Sequence, residues 1–168
     1  MRELSVLMLL AIVASKAIAG EPMTHCTEAE EVFYACEVEG SQKIVSLCGQ
    51  SDAQGAPLWV QYRFGPVGHA ELVFPSQTAD SLGQFGGVQQ SARAIDLTIQ
   101  EIWFKVGAYS YLIEHVSGGD CDGACKETYD LVVFKGGQSV ETHACGPKVI
   151  NNLWKLYGHI SDDQSTRP

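Results

Sequence analysis

The chain reads as all-β: a single antiparallel meander of about eight strands closing into a small barrel or sandwich, disulfide-bonded, with a short C-terminal helix. Three observations predict this. Apolar residues alternate at period two in run after run, and Gly- or Pro-bearing turns separate the runs at hairpin spacing. Six cysteines, an even number, all lie beyond residue 19 and fit three disulfides in an oxidising compartment. Helical periodicity is confined to residues 148–157.

Residues 1–19 read as a signal peptide. Arg2 opens it, residues 4–14 are an apolar run too short to span a bilayer, and Ala17-Ile18-Ala19 before Gly20 is a small-x-small cleavage pattern. The mature chain is expected to begin near Gly20, periplasmic or secreted, with Cys26 too far from the cleavage point for lipid attachment. What remains suits one β domain over residues 20–158 and a flexible polar tail over 159–168.

Charge excludes some partners. Eleven basic and twenty acidic residues give a formal net charge of −9, and losing Arg2, Glu3 and Lys16 with the leader makes it one unit more negative. Such a field repels a phosphate backbone or an anionic lipid surface and steers a basic protein inward. The expectation is no nucleic acid, no membrane insertion after leader cleavage, and a basic protein as the favoured partner.

Along the chain, residues 21–31 are an acidic lead-in tied down by Cys26. Val32, Tyr34, Cys36 and Val38 alternate, and Glu39-Gly40-Ser41-Gln42 turns the chain into residues 43–48. If Val38 faces Lys43, Cys36 falls opposite Val45 and Cys48 opposite Phe33, about 10 Å apart along the strands, which disfavours a Cys36–Cys48 bridge. Three connectivities are open to Cys26, Cys36, Cys48 and Cys145. The register favours Cys26 with Cys48 and Cys36 with Cys145. Cys121 and Cys125, across a three-residue tip, are expected to join each other.

Leu58, Val60, Tyr62 and Phe64 then alternate with Trp59, Gln61 and Arg63, and Gly65-Pro66-Val67-Gly68 leads into residues 69–74. Residues 76–93 are rich in Ser, Gln and Gly without a period and read as a long loop, whose Phe85 either folds back as a lid or projects as a contact. Ile95, Leu97 and Ile99 share one parity and Ile102, Phe104 and Val106 the other, so a β-bulge is expected at Gln100-Glu101. Gly107-Ala108 as a two-residue turn pairs Val106 with Tyr109, Phe104 with Tyr111 and Ile102 with Ile113. Gly136-Gly137 does the same for residues 129–135 and 138–145, and counting back sets Asp130 opposite His143 as a structural acid–base pair. Val149, Leu153, Leu156 and Tyr157 recur at helical spacing, with Gly158 as cap.

Candidate site residues are few. Arg63 between Tyr62 and Phe64 is either an ordinary sheet position with its stem on apolar surface or an aromatic and arginine anchor for a partner. Tyr62, Arg63, Phe64 and Phe85 are the candidate binding residues. No G-x-S-x-G occurs, Ser46 sits mid-strand, and six paired cysteines leave no free thiol. Glu71, Glu101 and Glu114 could act as a glycosidase pair only across a cleft. His25 and His143 would meet as metal ligands only if Cys26 joined Cys145, and no third ligand is identifiable. Asp120, Asp122 and Gly123 miss the spacing of a calcium loop. The expectation is no catalytic residue, no metal and no cofactor.

The pattern F-x-A-C, K-x-V-S-L-C, L-x-V-Q-Y-R-F-G and E-L-V-F-P, spread over residues 33–75, resembles a group of uncharacterised small exported proteins of Gram-negative bacteria. That resemblance implies an envelope location and no particular activity. The exported, cysteine-tied antiparallel layout is also similar to the bacterial inhibitors of C-type lysozyme, small β-barrels of the envelope. Their S-A-S-G-x-x-Y segment and W-x-x-K-G strand are not present, so no inhibitory residue carries over. The favoured expectation is a non-enzymatic binding protein, such as a protein inhibitor of a basic hydrolase. A small-ligand carrier using a barrel interior, an envelope structural protein and a hydrolase with a site invisible in sequence stay open beside it.

Overall fold

A computed structural model describes residues 23–121, 123, 125 and 127–168. The expected leader and its cleavage point lie outside them. Nine antiparallel strands form one sheet: β1 (Glu31–Val38), β2 (Lys43–Ser51), β3 (Pro57–Pro66), β4 (Leu72–Phe74), β5 (Gly86–Ala92), β6 (Leu97–Val106), β7 (Tyr109–Ser117), β8 (Thr128–Lys135) and β9 (Gln138–Asn151). Their order is β4-β3-β2-β1-β9-β8-β7-β6-β5, and the sheet curls into a half-barrel rather than a sandwich.

Period two places Tyr34, Leu47, Tyr62, Ile102, Phe104, Ile113 and Leu131 together in one core. The two ends of the sheet meet through rings. Phe74 of β4 stacks on Phe104 of β6 at 5.0 Å, and Phe85 meets Phe74 edge-on at 5.7 Å. Aromatic burial of this size holds the curl without a closing backbone ladder. All three expected disulfides are formed: Cys26–Cys48, Cys36–Cys145 and Cys121–Cys125.

The β1–β2 register follows the expected count from Glu37↔Ile44 to Tyr34↔Leu47, after which Phe33 bulges and Val32 faces Cys48. The β6–β7 hairpin pairs as expected, Val106 with Tyr109 and Ile102 with Ile113. Other expectations are corrected.

Residues 76–93 are not one loop. After a 3-10 turn at Ser81–Gln84, the edge strand β5 pairs with β6 throughout. Its outer residues 89–92 are exposed and need no apolar alternation, which hid the strand. Gly86 is demanded by packing, since a Cβ there would lie 2.2 Å from the Trp103 indole.

No bulge interrupts β6 at Gln100-Glu101, because its pairing with β7 runs unshifted from Thr98↔Ser117 to Val106↔Tyr109. Gln100 instead stays on the concave face and is satisfied there by hydrogen bonds to Gln89 at 3.0 Å and His115 at 2.8 Å. A bulge does occur on β9. Phe134 faces Ser139 but Val133 faces Glu141, so Val140 is the extra residue and is 56% exposed. It moves Leu131 opposite His143 and Asp130 opposite Ala144, and the expected Asp130–His143 pair is not formed.

The expected C-terminal helix is only a 3-10 turn at Leu153–Lys155, because β9 continues to Asn151. Asn152 is held by β1 through its backbone to Phe33 O at 2.8 Å and its side chain to Val32 O at 3.0 Å, which keeps the chain extended up to the turn. Leu153 and Leu156 are nonetheless buried in the core.

Residues 159–168, expected as a polar tail, lie against the sheet. Gly87 donates to Ser161 O at 2.8 Å, Trp103 Nε1 donates to Thr166 Oγ1 at 2.9 Å, and Arg167 Nε donates to Glu101 Oε2 at 2.6 Å, so the segment straps the convex face of β6.

Candidate functional site

The sheet parts where β9 runs past its neighbour. β1 ends at Val38, opposite Cys145, because the β1–β2 hairpin turns back there. The first half of β9 therefore has β8 on one side and no strand on the other. A cavity of about 250 Å³ opens beside it, on the concave side between β3, β4 and β7–β9.

Alternation supplies its walls. β3 turns Tyr62 and Phe64 inward, β7 contributes Tyr111, and β8 contributes Leu131 and Val133. Tyr109 and the bulge residue Val140 stand at the rim, 38% and 56% exposed. The rings are in mutual contact: Tyr62 lies 6.5 Å from Phe64 and 6.0 Å from Tyr111, and His143 lies 5.5 Å from Phe64.

The charged and titratable groups around this mouth already have neighbours. Lys43 Nζ lies 2.7 Å from Glu71 Oε2 and 5.2 Å above the Phe64 ring. His143 Nε2 lies 3.1 Å from Glu141 Oε1, and Lys135 sits 5.0 Å above the Tyr109 ring. Against this, the Tyr62 hydroxyl is buried with no hydrogen-bond partner. Burial pushes its pKa well above the ordinary phenol value, so it stays a neutral donor and acceptor. A native structure rarely leaves such a group unpaired.

The expected binding residues are split by the alternation. Tyr62 and Phe64 line the cavity, the first fully buried and the second half-buried. Phe85 is buried against Phe74 and Phe104 as a lid on the core. Arg63 points to the convex face and clamps the chain's own lead-in. Its Nη1 and Nη2 donate to Glu30 at 2.7 and 2.6 Å, Nη1 also donates to His25 O at 2.9 Å, and Nε donates to Gln61 Oε1 at 2.9 Å. The Arg63 guanidinium outweighs burial and holds the Glu30 carboxyl below its ordinary value. Sequence reasoning missed Tyr111, Leu131, Val133 and Val140 as neighbours of Tyr62. The glycine turns at 107 and 136 join β6 to β7 and β8 to β9, but nothing local says that β3 lies across from them.

Two polar clusters lie outside this cavity. On the concave face His115 Nδ1 lies 2.8 Å from Gln100 Oε1 and Nε2 lies 2.7 Å from Glu127 Oε1, with the Tyr129 ring stacked on it at 4.3 Å. Tyr129 donates to the same Glu127 oxygen at 2.7 Å, and Asn151 Nδ2 donates to Gln100 Oε1 at 2.8 Å. Both imidazole nitrogens are thus in contact with polar neighbours of the chain itself.

On the convex face Glu101, Glu114 and Asp130 are cross-strand neighbours in one row. Burial raises the Glu114 pKa, and the adjoining Glu101 raises it further. Glu101 and Glu114 stand side by side on one sheet face, not across a cleft, and Arg167 covers Glu101, so the spacing of a glycosidase pair is not met. His25 and His143 are not brought together: His25 Nε2 lies 3.0 Å from Gly65 O, and Cys26 and Cys145 have different disulfide partners. Among the described residues no group of three or more His, Cys, Asp or Glu is placed to hold a metal ion.

No protein-family model matches the chain, and neither a curated protein nor a solved structure does.

Proposed function

We propose that the chain is a non-enzymatic binding protein of a periplasmic or secreted compartment, which engages a basic protein by taking one side chain into the aromatic mouth cavity. Inhibition of a basic hydrolase such as lysozyme is one form that this activity would take. The observation that carries the reading is the cavity's size together with the exposed apolar residues at its rim. Small-molecule sites occupy about 300–1,000 Å³, whereas this one measures about 250 Å³ and is edged by exposed Tyr109 and Val140. A hollow for one side chain, with exposed Tyr109 and Val140 at its rim beside the Glu71 and Glu141 carboxylates, is the anatomy of an interface anchor site. Three disulfides fit an oxidising compartment, and the net charge of −9 favours a basic partner.

The test uses the mature protein immobilised and exposed to periplasmic extract and to purified lysozyme, with Val140→Asp as the paired control. Retention of a basic protein by the wild type, lost in Val140→Asp and weakened by salt, is the expected result. Equal retention by both, or indifference to ionic strength, overturns the reading. A low-molecular-weight compound leaving with the protein on denaturation, with no protein retained, favours a carrier instead.

A further inference from the structure

We infer that the outer edge of β5, from Val88 to Ala92, is an interface between two copies of this chain, which pair there antiparallel about a two-fold axis at Gln90. This edge shares no residue with the mouth cavity, and the inference is independent of the basic-partner reading.

Parity shows which backbone groups are free. The two-residue turn at Gly107 makes Val106 and Tyr109 the first hydrogen-bonded pair of β6 and β7, so every second β6 residue down to Thr98 faces β7 and those between face β5. Their β5 partners Gly86, Val88, Gln90 and Ala92 point their backbone groups at β6. Gly87, Gln89 and Ser91 therefore point theirs outward. Gly87 bears out the count, because its N–H donates to Ser161 O at 2.8 Å while Ser161 N donates to Phe85 O at 3.2 Å.

The strap thus covers the start of this edge with a single parallel bridge, Gly86↔Ser161. Beyond it, the outward N–H and C=O groups of Gln89 and Ser91 have no hydrogen-bond partner among the described residues. Proteins ordinarily protect such an edge with a charge, a proline, a bulge or a cover. The opposite edge of the sheet has that protection, since β4 is 3 residues long and Pro75 follows it. Val88-Gln89-Gln90-Ser91-Ala92 carries no charge and no proline, and its pairing with β6 runs without a shift.

Self-complementarity selects the occupant. With the axis at Gln90, Gln89 of each copy faces Ser91 of the other, and both of these narrow pairs exchange both their hydrogen bonds. Shifting the axis to Gln89 sets Ser91 against Gly87, whose N–H the strap already takes. Shifting it to Ser91 sets Gln89 against Arg93, which has left the strand for a 3-10 turn. Charge agrees with the choice. Two copies of formal charge −9 repel, so they meet best along an uncharged border, which offers a basic protein nothing to be drawn to. Ala92 falls opposite Val88 of the copy, so the Arg93 that follows it comes to the strap end, where Asp162 and Asp163 follow Ser161.

Sedimentation equilibrium of the mature protein over a concentration series is the test. The ladder is short beside a standard interface of about 800 Å² per partner, so the dimer is expected to form only as concentration rises. Higher salt should strengthen it by screening the two copies, the reverse of its effect on a basic partner. Gln90 is exposed, so Gln90→Glu and Gln90→Lys are both expected to fold. Each sets two like charges about 5 Å apart at the axis. Each alone should therefore dimerise at least about tenfold more weakly than wild type. An equimolar mixture sets Glu opposite Lys and is expected to recover the pairing. In amide exchange, Gln89 and Ser91 should slow as concentration rises, while Gln90, already bonded to β6, should not change.

A wild type that stays monomeric at every concentration overturns the inference. So does a dimer that either variant leaves unchanged, a mixture that pairs no better than its components, or protection that falls on amides other than Gln89 and Ser91. If those two amides slow only when periplasmic extract is added, and the chain alone stays monomeric, the edge takes another protein's strand and the two-copy assignment fails.

Discussion

Arg63→Ala is expected to free the lead-in and destabilise this protein rather than to abolish a contact with a partner. The guanidinium is 16% exposed and its carboxylate partner Glu30 13%. Truncation removes four hydrogen bonds, two of them a bidentate pair to Glu30. Hydrogen bonds to charged groups contribute about 1.5–3 kcal/mol each, and stripping one partner from a fully buried ion pair costs about 3–5 kcal/mol. Residual solvent access at both partners puts the loss at the lower end, about 3 kcal/mol, or about 6–12 °C in Tm for a chain of this length.

Urea melts of the wild type, Arg63→Ala, Glu30→Gln and the double variant measure the loss and its coupling. pH supplies an independent axis. Arg63 holds the folded Glu30 carboxyl below its ordinary value of 4.5. Its contribution is therefore full above about pH 4.5 and is lost as pH falls from there through the folded pKa. The gap between wild type and Arg63→Ala should narrow over that same acid window. A variant that keeps full stability at neutral pH but loses partner binding would refute the clamp, as would a gap that persists undiminished in acid.

Three further outcomes are expected. Replacing Cys36 and Cys145 by Ser opens a bridge spanning 109 residues and should cost about 4–5 kcal/mol, against about 2 kcal/mol for Cys121 and Cys125, which are 4 apart; denaturant melts rank the two. Gly49→Ala would set a Cβ 2.2 Å from Trp59 O and 2.4 Å from the Phe33 ring, an overpacking worth about 1–3 kcal/mol in the same melts. Arg167→Ala leaves the buried Glu101 without its cation and should free the strap over Trp103. In a Trp59→Phe, Trp154→Phe background, acrylamide should then quench Trp103 more strongly, and unchanged quenching would mean that other contacts hold the strap.

Much of this fold was legible because it is local. Period two in residues 32–48, 58–64 and 102–113, with glycine turns between, is enough to draw three hairpins, since each turn sets its own register within a few residues. The same counting separated Cys36 from Cys48 and so favoured the disulfides that form. Counting failed where one residue slipped out of the ladder. Val140 is exposed and costs the sheet little as a bulge, so no apolar pattern marks it, yet it moves His143 from Asp130 to Leu131.

Edge strand β5, the docked strap and the mouth cavity were illegible for a different reason. β5 needs only one paired side and keeps an exposed outer run, so it carries a loop's composition. The strap is polar and gains its hold from Trp103 and Glu101, more than sixty positions away. The site divides along the same line. That Tyr62 and Phe64 share a face, and that Arg63 takes the other, was present in the sequence as alternation on a single strand. That Arg63 would be consumed by Glu30, and that Tyr62 would meet Tyr111 and leave its hydroxyl unpaired, was decided only when the curl brought β3 across from β7–β9. Alternation assigns a side chain to a face; only closure of the sheet decides what stands opposite.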